Sequence, residues 1–527
     1  MRNTRLVIAV CACMLSMGAG AQTQYDAARL MGSELNGTAR FVGMGGAMSA
    51  LGGDISVIGT NPAGIGIYRS NDFSVSFGLN NTATKSNFMG TEMKDDRTRM
   101  SFDQVGFVYS NKIGNATTLR YVNFGFNYHK SKNFNRLFAA GGAFNNNTSQ
   151  TQQMADLLGD AFEMLDVPNT EIIEIWESAN PYEMRLNYPF LGVLGAQTDL
   201  IGLKEDLLNP WNAYANAYTS KEEGGINQYD FNISFNIADR VYLGVTLGAY
   251  DMNYKRYSYY TEDIDRIEEG KETGNGYYEL ENWFETKGTG IDLKFGVIAR
   301  PFEESPFRVG LAVHTPTWYD LTDYYAAFLS SEIEYPNENP INLEEYTPAY
   351  LGGDTQLDYK MITPWKFNVS MGTTFGGMVA VGAEYEYEDY SSAKYKYDTD
   401  EEMVYKTQDI KDGLKGVHTL RLGIESRIVP EFSIRAGYNY TTAAFKPNTF
   451  KYLDWNDTRT DTEYANNKAR NTFTFGLGYR GSVVYADLAY KYDMYKADFY
   501  AFDDNRLEAT KVDNNRHQLL LTVGARF

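Results

Sequence analysis

Beyond residue 13 this 527-residue chain contains no cysteine. Its only two, Cys11 and Cys13, lie in a leading segment that reads as an export signal. Arg2 and Arg5 form the basic start, Leu6 to Met17 the apolar stretch, and Ala19-Gly20-Ala21 the small-residue cleavage site. Cleavage there leaves Gln22 first, and a mature chain without thiols has no disulfide, thiol nucleophile or thiolate metal site. Long apolar runs are missing too. No later stretch reaches eighteen apolar residues, mean hydropathy is −0.43, and the leading stretch is too short to span a bilayer, which excludes membrane helices. Histidine is scarce: His129, His314, His418 and His517 stand far apart, with no Ser-His-Asp grouping and no His-x-x-x-His spacing. Neither a catalytic triad nor a metal site is therefore expected, and no enzyme activity or cofactor. No phosphate-cradling glycine loop follows a strand. A formal charge of −20 repels nucleic acid, which is discarded as a partner.

What the chain has instead is one short pattern repeated. Phe73, Val75, Phe77 and Leu79 alternate with Ser74, Ser76, Gly78 and Asn80, and the final run alternates Leu519, Leu521, Val523, Ala525 and Phe527 with Gln518, Leu520, Thr522, Gly524 and Arg526. A period of two places successive side chains on opposite faces of a strand. Many such runs, with Tyr and Phe in excess, predict an all-β transmembrane antiparallel barrel whose apolar set faces lipid. Apolar faces begin near Phe73, Val105, Val122, Tyr229, Val241, Ile291, Val309, Phe367, Val379, Leu420, Phe432, Phe473, Val484 and Leu519. That makes about 14 strands. Short connections alternate with long ones at 82–101, 131–226, 253–288, 320–356, 390–416, 446–468 and 499–514. Even strand number and alternating loop lengths put both termini in the periplasm of a bacterial outer membrane.

Two stretches break the pattern. Residues 22–70 do not alternate; they carry a short amphipathic segment around Ala27 to Leu35 and a glycine-rich run, and read as an N-terminal hatch, or plug, inside the lumen of the barrel at 71–527. The 131–226 connection is too long for a plain loop and reads as an extracellular insertion with helices. Met154, Leu157, Leu158, Ala161, Phe162 and Leu165 fall at helical spacing, and Ile172, Ile173 and Trp176 begin a second helix capped by Asn169 or Thr170. Leu157, Leu158, Phe162 and Trp176 form either packing over the mouth or a greasy landing site for a hydrophobic ligand.

The stretch from Gly37 to Gly64, ending Asn61-Pro62-Ala63-Gly64 and carrying Asp54, resembles the hatch of the FadL/TodX family of outer-membrane transporters for hydrophobic compounds. Arg308-Val-Gly-Leu-Ala-Val-His-Thr-Pro-Thr317 and Asp513-Asn-Asn-Arg-His517 are similar to a mid-barrel strand and the C-terminus of that family. The resemblance implies a monomeric fourteen-stranded barrel plugged by its hatch. Cargo such as a long-chain fatty acid enters from outside, passes a pocket and leaves through the wall beside a kinked third strand. The Asn61–Gly64 turn is expected to anchor the hatch to strand one. Phe527 is similar to the terminal residue read by barrel assembly machinery. Outer-membrane lipid and lipopolysaccharide would surround such a barrel, and a divalent ion bridging loop acids to that lipid is a minor alternative.

Rival readings stay open. A general diffusion porin shares the barrel but not the glycine-rich plug. A haem-binding receptor would use His129 and His314, both on inward faces. A surface structural or adhesion barrel would place function in the insertion. Asp454, Asn456, Asp457 and Asp461 group oxygen ligands that could suit calcium.

Overall fold

The computed structural model describes residues 22–115, 117–144, 148–182, 188–268, 271–353 and 355–527; the expected export signal and its cleavage site lie outside them. Fourteen strands follow one another around a closed antiparallel barrel. They are β1 (Asp72–Phe88), β2 (Thr91–Lys112), β3 (Leu119–Asn133, resumed at Arg136–Ala143), β4 (Asn212–Ile237), β5 (Val241–Glu268), β6 (Lys271–Ala299) and β7 (Arg308–His314 with Trp318–Glu334). The circuit continues through β8 (Gln356–Ile362 with Lys366–Phe375), β9 (Val379–Asp389 with Lys394–Tyr397), β10 (Gly416–Val429), β11 (Phe432–Thr441), β12 (Tyr464–Arg480), β13 (Val484–Tyr500) and β14 (Thr510–Arg526). β14 pairs with β1 from Asp72↔Arg526 to Asn87↔Lys511, so no edge is left at the closure. Each of the fourteen expected apolar faces lies in a different strand. Pro316 and Pro364, which have no N–H to give to a ladder, interrupt β7 and β8 at adjacent positions.

Burial is inverted relative to a water-soluble protein. Phe73, Phe77 and Leu79 of β1 and Leu519, Leu521 and Val523 of β14 are exposed on the outer surface, while Ser74, Ser76, Gln518 and Thr522 are buried inside. The same outward apolar set recurs around the circumference, for example Leu243 and Leu247 on β5, Phe295 on β6, Leu422 on β10 and Phe475 on β12. A continuous apolar exterior around hydrogen-bonded strands is what a bilayer demands of a spanning sheet.

At one end the strands are joined by short turns, and there Asn71 and Phe527 exchange backbone hydrogen bonds of 2.9 and 3.1 Å. At the other end the strands run further than their apolar pattern. The expected loop at 82–101 is a hairpin turning at Met89-Gly90, and 253–288 is the far end of β5 and β6. The reason is that strand pairing continues where outward side chains become polar. The insertion narrows likewise: β3 runs to Ala143 and β4 begins at Asn212, which leaves α3 (Gln150–Met164), α4 (Ile172–Glu177), α5 (Phe190–Gln197) and a small hairpin of Ile201–Lys204 with Leu207–Pro210. A 3-10 turn, Asn169–Glu171, precedes α4, so Glu171 is its N-cap; neither Asn169 nor Thr170 caps it. The third helix lacked a distinct periodic stripe because it is apolar nearly all round and buried.

Residues 22–67 lie inside the barrel. They form α1 (Gln24–Leu30), α2 (Ala39–Gly43) and two 3-10 turns, Ile55–Gly59 and Pro62–Ile67. Wall glycines face them on consecutive strands: a methyl group at Gly372 would meet Leu51, at Gly382 the Ala47 carbonyl, at Gly423 the Met44 carbonyl, and at Gly437 the backbone of Gly45. All four glycines are cross-strand partners in one row, Gly372↔Gly382↔Gly423↔Gly437. Gly437→Val should cost about 1–3 kcal/mol through overpacking. The check is the unfolding temperature of the purified barrel, which the outward neighbouring change Ala436→Val should leave nearly unaltered.

Candidate functional site

The hatch is held by side chains that satisfy its own turns and reach the wall. Thr23 caps α1, with Asp26 completing a reciprocal capping box. Asp54 accepts from Thr38 Oγ1 at 2.8 Å and from the Ser56 N–H at 3.0 Å, joining two turns of the hatch. Asn61 is completely buried. Its Oδ1 accepts from the Ala63 N–H, and its Nδ2 donates to the Val297 and Leu311 carbonyls at 3.3 and 3.4 Å. The Pro62 carbonyl accepts from Ser234 Oγ at 2.8 Å, and Gly244 and Gly296 leave the room that Pro62 and Ala63 occupy. Gly64 packs against Val57 and Gly52. The expected anchorage to strand one is therefore corrected: this turn is pinned to β4–β7 across the lumen, and only the chain itself runs on into β1.

Above the hatch, toward the long-loop end, lies a cavity of about 320 Å³. α1 and residues 31–35 form its floor, and β3, β4, β5, β12 and β14 contribute its sides. Tyr25, Phe134, Tyr218, Tyr254, Phe445 and Phe499 supply ring faces. Seven cationic residues (Arg29, Lys132, Arg136, Arg256, Lys468, Arg470 and Arg516) line it against four acids (Glu34, Glu222, Glu463 and Asp493). Lys132 donates to the carbonyls of Arg29, at 2.7 Å, and Met31, tying β3 to the end of α1. Glu34 receives Arg516 and stands 3.7 Å from Arg470.

Beside the cavity the wall changes. β2 pairs with β3 only from Gln104↔His129 to Lys112↔Tyr121; among the described residues no ladder joins them further out. The outer half of β3 crosses the inner face of β1, where Thr84 Oγ1 and Ser86 Oγ donate to the Leu137 and Ala139 carbonyls. Arg97 and Arg99 of β2 both reach across this seam to Glu223 of β4, at 2.5 and 2.8 Å.

The β11–β12 connection, expected as a long outer loop, folds inward against α1. Lys451, Asp457, Arg459 and Asp461 are all buried. Arg459 pairs with Asp26 of α1, Tyr25 Oη donates to the Thr449 carbonyl at 3.1 Å, and Gln24 Nε2 donates to the Phe450 carbonyl at 2.5 Å. Asp461 is met by Arg459, Lys451 and Arg256, which hold its carboxyl well below the usual range despite burial. Burial, with Arg459 alongside, brings the Lys451 ammonium down to about 8. Asp454 pairs with Lys406 at 2.6 Å. The oxygen cluster considered for calcium thus has cations of the chain itself as its counter-charges.

The other candidates separate. Leu157, Leu158 and Phe162 point into the core of the insertion, with Leu191, Leu194 and Tyr188 among their neighbours, and only Trp176 is exposed, at 37%. Of the two readings open for these residues, a landing surface does not fit Leu157, Leu158 and Phe162, because a helix over the barrel mouth must first bury its apolar stripe against its neighbours. His129 stands 3.9 Å from Asp230, and His314 Nε2 lies 3.0 Å from the Thr60 carbonyl of the hatch. Neither lines the cavity above the hatch. His418 and His517 face outward, each hydrogen-bonded through Nδ1 to a tyrosine, Tyr385 and Tyr490.

No family model matches the chain, and no curated protein matches it. Among solved structures, the P. putida toluene transporter TodX aligns over 94% of this chain and 99% of its own at 12% identity and a TM-score of 0.45. A Pseudomonas aeruginosa FadL homologue has the same coverage at 12% identity and 0.49, and the Ralstonia pickettii toluene transporter TbuX at 13% and 0.43. The likeness runs the length of the barrel, is weak in both sequence and superposition, and carries no argument about cargo.

Asn61→Ala removes two donors to wall carbonyls and the acceptor for the Ala63 N–H. A cost of about 1–3 kcal/mol is expected from the groups left unsatisfied, measured as faster hydrogen exchange over residues 52–67 with the strand amides of the barrel unchanged.

Proposed function

We propose that the protein is a passive outer-membrane transporter for hydrophobic small molecules, and that its cargo is an amphiphile with an anionic end, such as a long-chain fatty acid. The observation that carries this reading is the cavity of about 320 Å³ above the hatch, with its ring faces and its excess of cationic residues. Its size falls within the range of small-molecule sites. Rings accept an apolar chain, and the surplus of Arg and Lys suits a carboxylate. That lining is a poorer match for the neutral hydrocarbons named for the TodX-type relatives.

The hatch supports selective capture over a porin-like leak, because it fills the lumen with packed backbone. A haem-binding receptor is disfavoured by the placement of His129 and His314 away from the cavity. In this reading residues 1–21 are a removed signal, 22–70 the hatch, both termini are periplasmic, and the barrel works as a monomer. The seam between β2 and β3 is the exit toward lipid. No nucleotide drives the passage, so cargo moves down its gradient or is drawn by binding beyond the membrane.

Liposome reconstitution tests the reading. Uptake of a long-chain fatty acid, with exclusion of small sugars, is expected; free passage of sugars without binding of any lipid-like compound would favour the porin. Phe527, 64% exposed and paired only through its backbone to Asn71, is the proposed signal to the assembly machinery. Its deletion should lower the amount of mature barrel in the outer membrane far more than Phe527→Tyr does, as followed by heat-modifiable mobility of membrane fractions.

A further inference from the structure

Past the apolar band, β5, β6 and β7 continue outward, and their register fixes what each row of outward side chains presents. The last apolar row is Ala249, Ile291 and Trp318. Polar rows follow: Asp251–Thr289–Asp320, Asn253–Lys287–Thr322 and Lys255–Glu285–Tyr324. In them Lys255 and Lys287 share Glu285, each at 3.0 Å.

Rings come next. Tyr257 lies 5.4 Å from Trp283 between centroids, Trp283 5.2 Å from Tyr350, Tyr350 5.8 Å from Phe328, and Phe328 4.7 Å from Tyr346. Trp283 is eight residues beyond Ile291 on β6, which is about 26 Å along a strand rising about 3.3 Å per residue. A strand tilt of about 40° leaves roughly 20 Å of height. An interfacial aromatic girdle sits at the edge of the apolar band, so this row stands too far out to be one.

Around the rings the chemistry is one-sided. Tyr257, Tyr259, Tyr277 and Tyr346 spend their hydroxyl protons on Glu281, Glu279, Glu332 and Glu344, at 2.5–3.1 Å. Each carboxylate keeps lone pairs free, and no Lys or Arg stands in the two aromatic rows. The surface therefore offers ring faces for C–H groups and acceptors for hydroxyls, and it repels anions. A neutral polyol meets both demands, and Tyr and Trp suit it because they join an apolar body to a polar tip.

We propose that this outward face of β5–β7 binds the neutral hexose portion of a glycolipid whose acyl chains lie against the apolar band below. The sequence of rows matches such a molecule from its tails outward: apolar, then charged and polar, then sugar-binding. The proposal rests on the outer-membrane placement given above and is independent of what the lumen carries.

The test uses the full-length protein in detergent with two probes, lipopolysaccharide bearing a complete neutral hexose core and the deep-rough form that ends before the hexoses. The wild type should bind the first at least tenfold more tightly. Trp283→Ala with Tyr350→Ala should remove that preference, while deep-rough affinity and heat-modifiable mobility stay as they were; Trp283→Phe should keep most of it. Tyr350→Ala alone, at a position outside the strands, serves if the double variant does not fold, and should weaken the preference severalfold. Equal wild-type affinity for the two probes overturns the proposal, as does a preference that survives the ring substitutions. Tight binding of a lysine-rich peptide without any hexose preference also overturns it and marks a peptide surface. Fatty-acid uptake by the same preparations bears only on the transport reading.

Discussion

Backbone lying against backbone is the contact on which the rest of this molecule depends. The hatch residues from Gly43 to Ala63 approach the wall so closely that a β-carbon on Gly244, Gly296, Gly382, Gly423 or Gly437 would overlap them. Glycine in a strand normally weakens it. Here it removes the side chain where the plug must sit, and the barrel keeps its ladder because the backbone bonds are untouched. The cost in strand propensity is offset by packing that only an enclosed segment can provide.

Charge is the second constraint. The lumen holds many ionised groups out of bulk water, and they occur in matched clusters. Glu425 receives both Arg40 of the hatch and Arg435 of the wall, and Arg435 also reaches Asp487. Lys294 lies between Asp230 and Asp292. Such buried pairs add little net stability, yet leaving one member unpaired is expensive. Their effect here is orientational: a hatch rotated or shifted by one residue would strand Arg40 and Asp26 away from their partners. Cations outnumber acids in the lining of the cavity above, and some of their partners stand behind it: Arg29 meets Asp26, Arg256 meets Asp461 and Lys468 meets Asp498.

Strand number and order were legible because lipid imposes a simple rule on outward residues, and Phe73 or Leu519 obeys it openly. The outer ends of β5 and β6 were not, since beyond the bilayer both faces turn polar and Tyr257 or Glu281 carries no period of its own. Asp54 and Asn61 stood out by type and spacing, but whether Asn61 holds β1 or β6 and β7 depends on the path of the chain across the lumen. Lys132, Arg136 and Tyr25 gave no signal: each is an ordinary polar or aromatic residue until distant segments bring them around one space. The same is true of Arg459, 433 positions from Asp26 and yet bonded to it.

The sequence by itself determined the barrel, its parity, the plug and the chemistry of the lipid-facing band, because those follow from local periodicity and from the residue types that lipid or a tight backbone contact permits. Only the tertiary structure decided which wall strands the hatch grips, where the cavity lies, that the β11–β12 loop folds inward, and that Leu157, Leu158 and Phe162 are core. Closing a sheet brings together residues hundreds of positions apart, and the sign of their charges and the room between them exist only once it has closed.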